Sequence, residues 1–300
     1  MKKISIIIVT YNSEKDIYDC LQSIRQYSDI PAEDLEIIIV DNNSKATDKM
    51  FAEIKNQFGD DILLIKNDRN GGYGQGNNIG IRNATAPLVL IMNPDVRFME
   101  PIFRTIIEKF DRDDKLYMYG LKQMFSQTIE SHRSFSFTNM MNGYLWVLLT
   151  GLLNRFDIYW PRYQYLQGSC FVVKREAIES VGLFDENFFL YGEEDDLHYK
   201  LIRKYGVHIY YNKRLHYIHL VEQRPLNLDY EITLLDIAIK RHEQKGYSRE
   251  KTLRNFLRRT DLRMVREFTK MKLHKESEGY DIIMRFREYI RKELNSNTNK

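Results

Sequence analysis

Four consecutive acids, Glu193-Glu194-Asp195-Asp196, follow a stretch rich in glycine and aromatics that begins at Gly182. Leu197, Leu201 and Tyr205 then recur at helical spacing, so the acids open a helix. A helix N-terminus stabilises negative charge by a few tenths to ~1 kcal/mol. Mutual repulsion among adjacent carboxylates opposes it and raises at least one pKa. A carboxylate in that setting can take a proton from a nucleophile as a general base. Taken alone, the run more often marks an acidic helix start on the surface. Asn93-Pro94-Asp95 directly follows an apolar run. A carboxylate there can hold a divalent cation against a diphosphate, or simply bond its own backbone in a turn. Asp41 ends a second apolar run, where it can accept from a nucleotide base or ribose, or cap a helix. The segment Asn70–Asn78 looks like a phosphate cradle, yet it lacks both the G-x-G-x-x-G spacing and a Walker lysine. By itself it says only that a backbone must approach something closely. His216 and His219 are three apart, so on a continuing strand they face opposite sides and one of them can serve a site.

The elements that must hold these groups are strands and helices in alternation. Ile4–Val9, Leu35–Val40, Ile62–Ile65 and Leu88–Met92 read as strands buried on both faces. Helical patterns lie between them, the third near Asn77–Ala84 after a glycine-rich loop over 71–76. Such alternation implies a doubly wound sheet whose ligands sit at the carboxyl ends of the strands. Thr10–Ser13, Asp41–Ser44, Asn67–Asn78 and Asn93–Asp95 all lie at such ends and should converge on one crevice. The middle of the chain is irregular and aromatic, with a strand over Leu166–Val173 and an apolar helix around 139–153. Short helices over Arg175–Val181 and Asp195–Tyr205 and a strand over Val207–Tyr211 follow, and the chain is helical from about 227.

Composition narrows the class. The 300 residues are 43% hydrophobic and 29% charged, which excludes disorder, collagen-like repeats and a disulfide scaffold. Cys20 and Cys170 have no metal-finger spacing and favour a reducing compartment. The apolar stretch after Met1-Lys2-Lys3 is too short for a signal peptide and reads as a strand. Met140–Leu153 is shorter than the ~20 residues a spanning helix needs. Net charge is +3, but residues 240–300 hold 18 Lys/Arg against 9 Asp/Glu, a net of +9, leaving an acidic body. A basic tail of that kind seeks an anionic surface, unless it is merely a solvated helical face.

Six segments in this order resemble the inverting glycosyltransferases of family 2, and among them the rhamnosyltransferase-like enzymes of bacterial cell-surface polysaccharides. They are IIIVTYNS (6–13), IVDNNS (39–44), NGGYGQGNNIG (70–80), LIMNPD (90–95), GSCFVVKR (168–175) and the Gly182–Leu197 stretch. The resemblance implies an α/β GT-A nucleotide-diphospho-sugar transferase fold, a doubly wound mixed sheet with a C-terminal helical extension. It implies a donor held by Thr10, Tyr11, Asn12, Asp41 and Asn43, with Gly72, Asn77, Asn93 and Asp95 on the same side. Asp95 matches the last acid of the family's D-x-D motif, and His219 a later His that can complete a Mn²⁺ or Mg²⁺ site. Glu194 matches the base position, with Glu193 and Asp195 as alternatives because the family usually has Asp there. Gly168, Ser169 and Tyr191 fall on the acceptor side. Asn93 stands in place of the first metal-motif Asp and removes a charge. The absence of a Q-x-x-R-W motif implies one sugar per acceptor.

The implied domains are a catalytic 1–221, with a nucleotide-binding half over 1–95 and an acceptor-and-base half over 96–221, followed by a basic helical 222–300. The implied partners are a nucleotide-diphospho-sugar and a saccharide or lipid-linked acceptor, with no nucleic acid and with a homodimer left open. The expected location is cytoplasmic, with the tail at the inner membrane face. Two other readings compete. A sugar-phosphate nucleotidylyltransferase wants a glycine- and Arg/Lys-rich loop after the first strand, where Thr10-Tyr11-Asn12-Ser13 stands. A non-catalytic polysaccharide- or nucleic-acid-binding protein would use the tail with Tyr144, Trp146, Tyr159 and Trp160.

Overall fold

The computed structural model describes residues 1–137, 142–220, 226–274 and 278–298. The chain divides into two compact units, Met1–Ser136 with Tyr159–Val221, and Phe137–Ile158 with Glu222–Lys300. A division read along the sequence at 221/222 keeps 137–158 with its neighbours; by contacts, that segment joins the C-terminal helices.

The first unit is built on a mixed sheet. Strands β1 (Ile4–Thr10), β2 (Leu35–Asp41), β3 (Ile62–Lys66) and β4 (Leu88–Met92) pair in parallel in the order β3-β2-β1-β4. Beyond β4 the order continues β9 (Cys170–Lys174), β6 (Met118–Met124), β10 (Ile209–His219) and β5 (Val96–Phe98). Strand β9 runs antiparallel to both β4 and β6, and β10 antiparallel to β5. A small two-stranded sheet is formed by β7 (Phe135–Phe137) and β8 (Gln164–Leu166). The β-branched run of β1 is buried on both faces because helices cover both. On one face Ile6 and Ile8 pack with Ile17 and Leu21 of α1 (Glu14–Gln26), Ile54 of α2 (Thr47–Phe58) and Phe103 of α4 (Phe103–Asp111). On the other Ile7 packs with Ile81 of α3 (Gly72–Asn83), Ile178 of α6 (Arg175–Ser180) and Leu197 of α7 (Glu193–Tyr205).

Three elements differ from expectation. Helix α3 begins at Gly72, so the glycine-rich segment is the helix itself. A Cβ at Gly76 would lie 2.6 Å from Val9 Cγ1 and one at Gly80 2.4 Å from Ile7 Cγ2. The glycines let α3 settle onto β1, and this close approach outweighs their poor helix propensity. The strand expected over 166–173 is broken between β8 and β9, which frees Gly168 and Ser169 as a turn. Strand β10 is longer than expected and carries both His216 and His219, with a register shift between Asn212 and His216.

In the second unit α5 (Gly143–Arg155) is followed by α8 (Leu228–Gln244), α9 (Arg249–His274) and α10 (Glu278–Thr298). Leu235, Ile239, Leu253, Phe286 and Ile290 form its core. No helix among the described residues is long and apolar enough to cross a membrane.

Candidate active site

The register of the sheet dictates where the polar segments meet. Thr10 lies opposite Asp41 at the carboxyl ends of β1 and β2. The Asp41 carboxylate is fully buried and accepts from Thr10 Oγ1 at 2.8 Å, Ser44 N at 2.8 Å, Ser44 Oγ at 2.6 Å and Thr47 Oγ1. Both of its oxygens are thereby committed to shaping the loop after β2. Asn12 ties the two loops together: its N–H donates to Ser44 Oγ at 2.7 Å and its Oδ1 accepts from Lys45 N at 3.2 Å. Asn12 and Asn43 both sit at positive φ, 50° and 62°, a conformation asparagine tolerates better than other side chains. Tyr11 stands exposed beside them.

Buried amides extend this scaffold to α3. Asn67 Nδ2 donates to Asn42 Oδ1 and Gln75 Oε1, each at 2.9 Å, and Asn42 Nδ2 donates to Gly72 O at 2.9 Å. Asn78 Nδ2 donates to Phe184 O at 3.0 Å and Glu186 Oε1 at 2.9 Å, while its Oδ1 accepts from Phe184 N. Asn78 thus clamps the Gly182–Gly192 loop onto α3. Gly72, at φ 85°, leaves no room for a Cβ, which would lie 1.9 Å from Phe189 O. Asn42, Ser44, Asn67, Gln75 and Asn78 lie in the polar segments expected to converge, but no spacing signature marks them individually, and Thr47 lies outside those segments. Asn77 is buried, donates to Tyr73 O at 2.9 Å and leaves its Oδ1 without a hydrogen-bond partner.

The second cluster lies at the end of β4. Met92 pairs with Cys170, so Asn93 and Ser169 are neighbours, and Asn93 N donates to Ser169 O at 2.9 Å. His219 pairs with Val96 across β10 and β5, which brings its Nε2 to 3.3 Å from Asp95 Oδ2. Asp95 Oδ1 and His219 Nδ1 are both shielded from water and have no hydrogen-bond partner. His216 turns instead to Glu100, with Nδ1 at 2.7 Å from Oε1, so the two histidines serve different places. Ser169 Oγ bonds the Tyr217 hydroxyl at 2.8 Å, and both approach Gln123 Oε1.

The acid run forms the third cluster. Tyr191 at φ 69° and Gly192 at φ 103° turn the chain into α7, which starts at Glu193. Glu193, Asp195 and Asp196 are buried, whereas Glu194 is half-buried. Glu194 Oε2 accepts from Gly192 N at 3.2 Å, within reach of the helix dipole. A Cβ at Gly168 would lie 3.5 Å from the Glu194 carboxyl carbon, so that carboxylate flanks the Gly168-Ser169 turn. Tyr73 donates its hydroxyl to Gly168 O, and the same Cβ would lie 3.3 Å from that hydroxyl, so Tyr73 and Glu194 flank the turn together. Burial, with Glu194 and Glu193 close by, pushes the Tyr73 hydroxyl well above its ordinary pKa, so it stays a donor. Asp95 is two residues from Asn93, which is hydrogen-bonded to Ser169, and Glu194 lies beside the adjoining Gly168. A carboxylate–imidazole pair and a carboxylate at a helix start therefore flank one turn.

A family model described as "Glycosyl transferase family 2" matches residues 5–182. The chain belongs to glycosyl transferase family 2. Its sheet with the antiparallel β9 is that of the GT-A fold. Among curated relatives, the low-salt glycan biosynthesis hexosyltransferase Agl10 of Haloferax volcanii is 28% identical over 215 residues, covering 67% of this chain and 62% of that protein. The teichoic acid poly(glycerol phosphate) polymerase of Staphylococcus epidermidis is 29% identical over 117 residues, 39% of this chain and 16% of that one. The chain thus spans less than two thirds of either relative. Among solved structures, a Pyrobaculum calidifontis mannosyltransferase in complex with GDP-Man and Mn²⁺ superposes with a TM-score of 0.61 at 14% identity, over 96% of this chain and 84% of that one. S. aureus TarS 1-349 in complex with UDP gives 0.55 at 15%, over 97% and 91%. Identities this low speak for the fold.

For a family 2 chain, the question is whether a divalent metal fits. Among the described residues there is no group of three or more His, Cys, Asp or Glu able to hold one. Asp95 and His219 do offer one oxygen and one nitrogen donor, each residue with a shielded atom still unpartnered. A carboxylate with an imidazole suits Mn²⁺, provided that a diphosphate and water complete the shell.

Proposed function

We propose that this family 2 chain transfers a single sugar from a nucleotide-diphospho-sugar to a hydroxyl of a saccharide or lipid-linked saccharide acceptor, in the synthesis of cell-surface polysaccharide, with inversion at the anomeric carbon. The observation that carries this reading is that the Asp95–His219 pair and Glu194 lie about one turn, Gly168-Ser169, to which Asn93 is hydrogen-bonded. The nucleotide is assigned to the loops of Thr10, Tyr11, Asn12, Asp41 and Asn43. Asp41 fixes their shape rather than presenting its own oxygens, because those oxygens are already engaged. Asn77 Oδ1, buried and unpartnered, is left as an acceptor for a donor hydroxyl. Gly72 brings α3 close, and Asn93 holds the Asp95 turn to Ser169.

Asp95 and His219 are assigned to a divalent cation, which neutralises charge on a leaving diphosphate when bound. Glu194 takes the proton from the acceptor hydroxyl as its oxygen attacks the anomeric carbon and the bond to the diphosphate breaks. One displacement needs one base on the face away from the leaving group, and Glu194 is the most open of the four acids. Gly168, Ser169 and Tyr191 are assigned to the acceptor side. The GDP-Man and UDP complexes of the two fold neighbours support a nucleotide-diphosphate donor.

The test is a thermal-shift panel of nucleotide sugars with Mn²⁺ or Mg²⁺, followed by transfer assays on the donor that binds. A bound donor at 100 times its Kd stabilises by ~2.7 kcal/mol, a readily measured shift. Failure of every nucleotide sugar to stabilise the protein overturns the reading.

A further inference from the structure

Helix α5 is apolar on more than the side that packs. The side facing its own unit holds Gly143, Leu153 and Asn154, all buried, with Trp146, Val147 and Leu149 half-buried and the Thr150 hydroxyl shielded and without a hydrogen-bond partner. Gly143 lies flush on α9: a Cβ there would sit 2.2 Å from Asn255 O and 2.9 Å from Arg258 Cβ. The outward side is a leucine stripe ending in Phe156, at i, i+3, i+7 and i+11. Leu145 is 51% exposed, Leu148 63%, Leu152 48% and Phe156 59%. Scattered exposed leucines need no explanation, but a contiguous apolar stripe marks an interaction surface.

Charge identifies the occupant. Helix α5 contains no acid and ends in Arg155. Its packing partner α9 places Arg259 over the Trp146 ring at 4.0 Å. At the start of α5 a cleft of about 330 Å³ is lined by Lys251, Arg254 and Arg258 with Asn142 and Asn255. Its one acid, Glu250, is ion-paired to Arg254 at 2.7 Å. At 13 residues α5 is ~20 Å long, too short to span a bilayer but suited to lie in its interface.

We infer that the Leu145–Leu148–Leu152–Phe156 face of α5 inserts into the surface of an anionic lipid bilayer, with the Lys251–Arg254–Arg258 cleft taking headgroup phosphates. The basic C-terminal helices supply attraction, and the apolar grip comes from a segment about 90 residues earlier in the chain.

The full chain is sedimented with phosphatidylcholine vesicles, with and without phosphatidylglycerol. The wild type pellets with the anionic vesicles. Leu148→Glu with Leu152→Glu, both at exposed positions, lowers that partition by about a hundred-fold, since each buried leucine contributes roughly ten-fold. Arg254→Gln with Arg258→Gln weakens the preference for phosphatidylglycerol. In case the glutamate variant misfolds, Leu148→Trp is made with Trp146→Phe and Trp160→Phe, and its emission shifts to the blue on anionic vesicles. Equal pelleting of wild type and glutamate variant, or an unshifted reporter, overturns the inference. So does a dimer in sedimentation equilibrium that the glutamate variant dissolves while no vesicle binding occurs, which would give the face to a second copy. These readouts are membrane partition and oligomeric state, not turnover, so they stand apart from the transferase reading.

Discussion

Asp95 and His219, the pair we assign to a divalent cation, sit 3.3 Å apart, each with one shielded atom that has no hydrogen-bond partner. Asp95→Ala removes the only carboxylate of the pair. We expect the Mn²⁺-dependent part of donor stabilisation to vanish in a thermal shift, with the melting temperature of the ligand-free protein little changed. Undiminished wild-type turnover in excess EDTA would falsify the metal assignment. Glu194→Gln is nearly isosteric, so donor affinity should survive while kcat falls by roughly 10²–10⁴, the usual worth of a general base. Glu193→Gln and Asp195→Asn are the comparison. Their carboxylates are buried in α7, so those changes should appear first in the melting temperature. If Glu194→Gln keeps near-normal kcat and a neighbour's variant is dead, the base moves by one residue; if all three remain active, none of Glu193, Glu194 and Asp195 is the base. At this scale the sequence was legible where a carboxylate ends a strand or opens a helix, since the element then fixes its place. Asn42, Asn67 and Asn78 were not, because a buried amide network is defined by who meets whom across the fold, and adjacent asparagines read equally as loop.

Glycines separate two kinds of helix packing. An alanine in place of an interior helical glycine ordinarily stabilises by ~0.5–1 kcal/mol through helix propensity. At Gly80 the added methyl meets Ile7 Cγ2 at 2.4 Å on a strand buried on both faces, so the neighbour cannot yield cheaply. We expect Gly80→Ala to destabilise by ~1–3 kcal/mol, the usual size of overpacking. Gly151 on α5 has nothing within 4 Å of its would-be Cβ, so Gly151→Ala should raise stability. Thermal denaturation of the two variants tests the opposite signs together. The same chemistry explains which elements the sequence revealed. Parallel β-branched strands announce themselves by composition, and β1 to β4 appear where the residues placed them. The start of α3 was hidden because glycine disfavours a helix locally, and only the strand it touches shows what the glycines are for. The break between β8 and β9 was hidden in the same way: Gly168-Ser169 sits inside an otherwise apolar run, yet it is the turn that the site surrounds.

Two units with separate cores should unfold with separate sensitivities. In the second, His242 is buried between α8 and α9, its Nδ1 3.3 Å from Thr252 Oγ1. Burial, then the charges of Arg241, Lys245 and Arg259, push its pKa down to about 3 from 6.5. Between those values the unfolded chain binds a proton that the folded unit refuses. Stability therefore falls as pH drops below about 6.5, by up to ~1.4 kcal/mol per unit. Calorimetry from pH 7 to pH 5 should move the transition of this unit downward, and His242→Gln should flatten that dependence. An unchanged slope in His242→Gln would place the acid sensitivity elsewhere. The second unit is also discontinuous in the chain, and that carries a consequence for its birth. On the ribosome, α5 is made about 90 residues ahead of α9, on which Gly143 must rest. At ~5–20 residues per second, the side of α5 that packs on α9 waits roughly 5–20 s for cover. During those seconds the nascent segment is an apolar, acid-free helix without the partner on which its glycine rests.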